Sequence, residues 1–588
     1  MRIVFIICIA IAMNACAGTG RKAAITPDEL SIITGRLASE QFQGRGTGTA
    51  GDSLAALYIR DELKKAGARP FAGNGLQPFS VNVAVEPGTG NRLSVNGRDY
   101  AIGTDFMPLA LSDKSSLKAP VVFCGYGLLP SGDTLHRDDF SGPDVAGKWA
   151  LVLRGYPESD PAAAGYGRLS TDRIKVLNAR EKGAAGVLLV SGEKWDPGDN
   201  LDRPSRSEAR SGLPVLQVKR SVADSILRGS SVNLSDLEKR AADPDARAGF
   251  AVLTMVDAEA DVNKKEALTS NVVMMLPGTS ASDEYIIIGA HYDHLGMGGP
   301  GSSSRVPDTI AIHYGADDNA SGVALMTELA ERLAENSEPF SRSILFVAFA
   351  GEEMGLLGSK HFVENMGIDP SAVNLMINLD MVGRMKEGNG LQIAGVGTAA
   401  GLRDTVLAYS DTTAVRLSFT SEGYGPSDHS SFYGKNIPVL SVTTGAHLDY
   451  HTPDDTPDKL NYEGMVKVGD LLAGVISSAA NSSARLAFTE AGPREPTGPM
   501  SRRRGVTFGI MPDFAGNVSN GLRADFVTPG KPAALGGMQK GDIIVAIDSK
   551  PVSNIEDYMF RLGQLKAGQT VSVEVLRNGT REVLIIQL

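Results

Sequence analysis

The sequence predicts an α/β protein in which a doubly wound, mixed-sheet domain is interrupted by a β-rich insertion and followed by a second small β-rich unit. Three observations predict it. From about residue 265 to 480, apolar strand-like runs alternate with helical patterns. From about 117 to 256, the runs become short strands separated by Gly, Asp and Pro turns. After a stretch at 477–504 rich in Ser, Ala, Pro and Gly, the chain returns to strands with one helical segment near 555–565. A length of 588 residues agrees with several compact units. Hydrophobic residues at 42% and charged residues at 21% exclude a largely disordered or fibrous chain. Sixty-eight acidic against 57 basic residues, a net charge of -11, and no long Lys/Arg run argue against a nucleic-acid groove.

The elements follow in order. Met1-Arg2, an apolar run at 3–13 and Asn14-Ala15-Cys16 have the charged start and short apolar core of an export signal, too short to span a membrane. Small residues before a cysteine resemble a bacterial lipoprotein cleavage site, which implies a signal at 1–16 and a lipid on Cys16. The protein is then expected in the bacterial cell envelope or secreted, touching a membrane only through that anchor. Of three cysteines, Cys8 and Cys16 lie in this segment and only Cys124 is left in the body, so no disulfide framework exists and Cys124 reads as a small core hydrophobe. Apolar spacing over 54–63, closed by Gly67, predicts a surface helix. The insertion is expected to carry strands at 120–123, 149–153 and 185–190. The doubly wound domain is expected to carry strands at 285–289, 343–349, 374–379 and 438–442, with a helix over 321–333.

Chemistry-bearing residues follow each of those strands, where open α/β sheets place their sites. They are His291-Tyr292-Asp293-His294 after the first, Glu352-Glu353 after the second, Asp380 after the third and Asp449-Tyr450-His451 after the fourth, with Asp317-Asp318 just ahead of the helix. Two imidazoles and three carboxylates of this kind suit two zinc ions that share one bridging carboxylate and hold a water between them. His291 and Asp293, two apart on an extended backbone, share a face, which lets Asp293 accept the second ring proton of His291. Glu352 and Glu353 are adjacent and point differently, so one can bind metal while the other takes a proton from the attacking water.

This set resembles metallopeptidase family 28, the co-catalytic di-zinc aminopeptidases, over about 25–115 and 260–480, including Gly44-Arg45-Gly46-Thr47-Gly48. The resemblance implies His291 and Asp380 on one zinc, Glu353 and His451 on the other, and Asp318 bridging. It makes Glu352 the general base, Asp293 the partner of His291 and Tyr450 a stabiliser of the oxyanion. Residues 117–257 resemble a protease-associated domain inserted between 25–116 and 258–482, and 505–588, after a linker at 483–504, resemble a PDZ domain. In the latter, Phe508-Gly509-Ile510-Met511 is the expected carboxylate-binding loop for a peptide C-terminus. Peptides with a free N-terminus are the implied substrates.

Each residue has a plainer reading. Asp318 can be the N-cap of the following helix, and Asp317 a turn residue. His294 and His429, the latter in Gly425-Pro426-Ser427-Asp428-His429, read as structural support, and His313, His361 and His447 as loop or surface residues. Arg502-Arg503-Arg504 reads as solvated linker. Competing functions are a glutaminyl-cyclase-like acyltransferase with one zinc, an inert peptidase fold that binds peptides through its PDZ unit, and a carboxypeptidase relative.

Overall fold

Near-continuous apolar sequences such as Arg342–Phe349 and Val373–Leu379 form strands buried along their whole length, as a sheet covered on both faces requires. The computed structural model describes residues 24–588 apart from 131–136, 143, 158–169, 203, 205–209, 231, 244–248, 300–301, 307, 337, 386–389, 412–414, 492–505, 513–517, 519–520, 529–530 and 567. The signal segment with Cys8 and Cys16, most of the linker and Arg502 to Arg504 lie outside the described residues.

The largest sheet has nine strands. Arg342–Phe349, Ala281–His291, Val373–Leu379 and Val439–Thr443 lie side by side and parallel. Val262–Leu276 and Leu391–Ala394 flank them antiparallel, so the sheet is mixed and the predicted fold class holds. Side chains alternate between two cores. Ile286 and Ile288 face helices Pro27–Leu37, Ala50–Lys65, Gly322–Ala334 and Tyr462–Asn481, while Ile287 faces Leu357–Asn365 and His429–Tyr433.

Leu76–Pro87 leaves this domain paired with Val262–Leu276, from Leu76↔Val272 to Pro87↔Val262, and the insertion hangs on that two-stranded ribbon. Its sheet has eight strands, centred on Ser115–Phe123, Trp149–Leu153, Gly186–Val190 and Val215–Val218 in parallel. It also takes in Arg92–Val95, Arg98–Tyr100 and Phe106–Pro108, strands upstream of residue 117 that are too short to carry a pattern of their own. Leu93, Val95 and Phe106 join the insertion's core, which decides their partner. Cys124 is buried there, and burial pushes its thiol far up, so it packs as an apolar residue.

The C-terminal unit is a six-stranded antiparallel sheet with the helix Ile555–Leu562. It contacts both other units. The Arg180 guanidinium lies 3.1 Å from Asp557 Oδ1, Glu181 pairs with Arg561, and Lys540 Nζ donates to the Gly434 carbonyl at 2.8 Å. Among the described residues, no helix is long and apolar enough to cross a membrane.

Candidate metal centre

The parallel strands end side by side, so the residues that follow them meet above one sheet edge. His291 closes its strand with Nε2 3.3 Å from Asp318 Oδ1 and 3.4 Å from Asp380 Oδ1. Asp318 Oδ2 faces the other way, 3.3 Å from His451 Nε2, which is itself 3.2 Å from Glu353 Oε2. Asp318 thus presents one oxygen to each of two overlapping groups.

Local sequence explains how Asp318 is left free. The helix Gly322–Ala334 is not capped by Asp318; the Asn319 amide does that work, with Oδ1 accepting from Gly322 N at 3.1 Å and Met381 N at 3.2 Å. Asp318 has an extended backbone, φ -105 and ψ 91, and its carboxylate turns to the imidazoles. Gly315 makes the turn before it with φ 55, where a Cβ would lie 2.3 Å from the Asp318 carbonyl oxygen and 2.6 Å from the His294 ring. Asp455 ties this loop to the one bearing His451: Oδ2 accepts from Asp317 N at 2.8 Å and Asp318 N at 3.1 Å, and Oδ1 meets Arg384 at 3.1 Å. Asp317 accepts from Gly383 N at 2.6 Å, so it fastens a third loop.

Asp293 does something other than its spacing suggests. The His291 Nδ1 lies 3.2 Å from the Asp293 backbone carbonyl and 3.8 Å from its carboxylate. The carboxylate instead accepts from Glu352 N at 3.0 Å and Thr47 Oγ1 at 2.9 Å. It fixes the backbone of the acidic pair and joins it to the Gly-Arg-Gly-Thr-Gly segment. The strand ends at His291 and the chain turns, so strict alternation no longer governs Asp293. In that segment Arg45 is fully buried and donates to the carbonyls of Tyr292, Leu37, Tyr314 and Gly315 at 2.7 to 2.9 Å. Burial pulls its guanidinium down to about 10, against the opposing pull of Asp318, Asp293, Asp455 and Glu353.

Electrostatics divide the acidic pair. Burial, with Asp428, Asp380 and Glu353 nearby, holds the Glu352 carboxyl well above its ordinary range despite His291. Glu353 is buried and close to Asp318 as well, yet its hydrogen bond with His294 and the nearby His451 imidazole hold it below the usual value. The Tyr450 ring stacks on His451 with centroids 3.8 Å apart, and burial raises its hydroxyl far enough to keep it protonated, a donor.

Two residues join the site beyond the expected set. His294 Nδ1 is 2.8 Å from Glu353 Oε1 and 3.8 Å from Asp318 Oδ2. Its sequence signal was present, since it follows Asp293 directly. Asp428, fully buried beside His291, Ser359, Asp293 and Asp380, is pushed to about 7 by burial; the resemblance of the segment 425–429 to the family was its signal in the sequence. His429 is buried and held near 4 by desolvation, hence neutral. His313 and His447 stand in loops as expected, but neither side chain lies on the surface. His313 is fully buried, with Nε2 2.7 Å from Ser304 Oγ. The His447 side chain is 4% exposed, with Nε2 3.3 Å from Asp317 Oδ2. Both pack under the loops that build the site, which places them inside. His361 is half-buried, stacked on Phe79 at 4.8 Å.

The donors fit divalent metal. His291, Asp318 and Asp380, and His294, Asp318 and Glu353, each offer ligand atoms within 4.8 Å of one another. The His451 Nε2 is buried, lies against two carboxylates and makes no hydrogen bond. Imidazole and carboxylate without thiolate suit zinc-type ions.

A doubly wound sheet with such a cluster at its carboxyl edge and a buried acid beside it defines the class of metal-dependent α/β hydrolases. Within that class the chain belongs to peptidase family M28. The family model for Peptidase family M28 matches residues 271–476, that for the PA domain 117–226 and that for the PDZ domain 515–588. Aminopeptidase YwaD of Bacillus subtilis (strain 168) is 26% identical over 455 residues, 75% of this chain and 82% of its own length. The uncharacterized protein YfbL of Escherichia coli (strain K12) is 32% identical over 238 residues, 34% of this chain and 68% of its own length. Among solved structures, BSAP, a zinc aminopeptidase from Bacillus subtilis, is 22% identical, covers 80% of this chain and 99% of its own, and superposes with a TM-score of 0.47.

Proposed function

We propose that the chain is an exported, lipid-anchored zinc aminopeptidase that removes N-terminal residues from peptides with two zinc ions. The observation that carries the reading is the convergence of His291, Asp380, Asp318, Glu353 and His451 into two groups sharing Asp318, with Glu352 adjacent. His291 and Asp380 would hold one ion and Glu353 and His451 the other, with Asp318 available to both. His294, on the second oxygen of Glu353, orients that ligand.

When bound, the two ions supply Lewis acidity toward the scissile carbonyl and the attacking water. Glu352 takes the proton of that water and returns it to the leaving amine, and its raised proton affinity suits both halves of the transfer. Asp293 holds the Glu352 backbone in place through its amide. The Tyr450 hydroxyl donates to the oxyanion of the tetrahedral intermediate. The PDZ unit takes a peptide C-terminus by strand addition, and the inserted domain limits access to the site.

Zinc quantification on the purified chain, together with a panel of aminoacyl and N-blocked substrates, tests this. Two zinc ions per chain and cleavage of free-amine substrates alone support it. One ion with cyclising activity on N-terminal glutamine, or a preference for blocked substrates, overturns it.

A further inference from the structure

The strand Val373–Leu379 delivers Asp380, and Arg384 follows four residues later. The Arg384 backbone amide donates to Thr444 Oγ1 at 3.1 Å, and its side chain, 11% exposed, crosses to the loop that bears Tyr450 and His451. There a single nitrogen, Nη2, lies 3.0 Å from Asp449 Oδ2 and 3.1 Å from Asp455 Oδ1. The two carboxylates bracket the loop, Asp449 two residues before His451 and Asp455 four after it. Asp455 is fully buried, and its other oxygen accepts from Asp317 N at 2.8 Å and Asp318 N at 3.1 Å. Asp449 is partly exposed and also meets Lys459 Nζ at 3.1 Å. Between them His451 holds a left-handed backbone, φ 57, which a side chain disfavours and which persists only where neighbours fix it.

We infer that Arg384 is a positioning residue for one half of the metal centre: it fixes the loop of His451, so the affinity for the ion at Glu353 and His451 depends on it. The inference rests on the two-ion reading above. Without the guanidinium, Asp449 and Asp455 face each other as carboxylates that share no cation, and Asp455 does so out of reach of water. Their repulsion spreads the loop and draws His451 Nε2 away from Glu353 and Asp318, now at 3.2 and 3.3 Å. The other ion's ligands are held independently. His291 closes a strand in the middle of the sheet, Asp380 directly follows its neighbour, and Asp318 is anchored through Asn319 to Gly322, Met381 and Leu379. Arg384 thus ties the loop after one strand to the loop after the next, and its loss falls on one ion.

Competition for zinc between the metal-free full-length chain and a chromophoric chelator resolves the two affinities and tests this. Arg384→Gln should weaken one of them by about 10- to 100-fold and leave the other within about threefold. Arg384→Lys keeps a cation between the carboxylates and should recover most of the loss. His451→Ala identifies the ion concerned: in that background Arg384→Gln should have no further effect on the ion that remains. Hydrogen exchange in the metal-free chain should quicken over 447–455 and stay unchanged along Val373–Leu379. Equal weakening of both ions, a loss that persists in the His451→Ala background, or zinc affinities untouched by Arg384→Gln overturns the inference. Should Arg384→Gln not fold, Asp449→Ala, at the partly exposed carboxylate, takes its place, and unchanged zinc affinity there overturns the inference equally. An unsubstituted chain that binds a single zinc ion overturns the two-ion reading instead.

Discussion

Asp318 and Asn319 are neighbours with divided work. Asn319 satisfies helix and loop N–H groups, and Asp318 is thereby released to face the imidazoles of His291 and His451. The same division separates Glu352 from Glu353, whose proton affinities move in opposite directions. Glu352→Gln keeps the shape and the bond from its backbone amide to Asp293 while losing the proposed base. It should reduce turnover by at least about a hundredfold with zinc content unchanged, read by steady-state kinetics beside metal analysis. Arg45 is a structural cation, with four backbone carbonyls on one guanidinium. Arg45→Met leaves those acceptors buried and unpaired, at a cost of about 3 kcal/mol or more in denaturant unfolding; a loss under about 1 kcal/mol would contradict that role.

Among the elements, the helix Gly322–Ala334 is central because it leads from the Asp318 loop into the core on one face of the sheet. Glu328 is buried on it, and burial, with Glu29 and Glu331 close by, raises its carboxyl to about 8. The folded state therefore binds this proton more tightly than the unfolded state does. The contribution is fully present below the unfolded value near 4.5 and is lost as pH rises toward about 8. Glu328→Gln should leave stability nearly unchanged at acid pH and raise it by about 1–2 kcal/mol near pH 8, as thermal melts at the two pH values would register. The helices Leu357–Asn365 and His429–Tyr433 pack together on the opposite face, where Ser359 Oγ lies 2.9 Å from Ser431 Oγ. Both begin within a few residues of the site, and their far sides line a pocket shared with the C-terminal unit. The central strands and the helices Ala50–Lys65 and Gly322–Ala334 were legible from their apolar periods, while the helices Pro27–Leu37 and Tyr462–Asn481 were not read. The pairing of Leu76–Pro87 with Val262–Leu276 was not, since no local signal joins segments so distant in sequence.

Across the whole molecule, the C-terminal unit is joined to the inserted domain by buried polar contacts. Glu181 pairs with Arg561, and Arg180 with Asp557, both partners on the helix Ile555–Leu562 being buried. Replacing Arg180 and Glu181 together by Ala should speed hydrogen exchange in that helix by about tenfold, through loss of roughly 1–2 kcal/mol, while protection in the central sheet stays as it was. Zinc ties the four parallel strands at their carboxyl ends in the proposed reading, so chelation should lower the melting temperature. The lost stabilisation is about 2.7 kcal/mol where free zinc had stood at a hundred times its Kd. A melting temperature indifferent to chelation would count against metal in the site.

The sequence alone determined the fold class, the family and the residues that cluster at the strand ends, because strand period, helix period and the placement of His, Asp and Glu after each strand are local properties. Tertiary structure alone decided which atoms face one another. It gave the Asp293 carboxylate to the Glu352 amide and Thr47, brought His294 onto Glu353, buried His313, turned the His447 side chain onto Asp317, and set Asp428 beside His291. Each of those outcomes depends on where loops turn after a strand ends and on which buried polar groups must find partners. Those are contacts between residues far apart in the chain, and no period in the sequence encodes them.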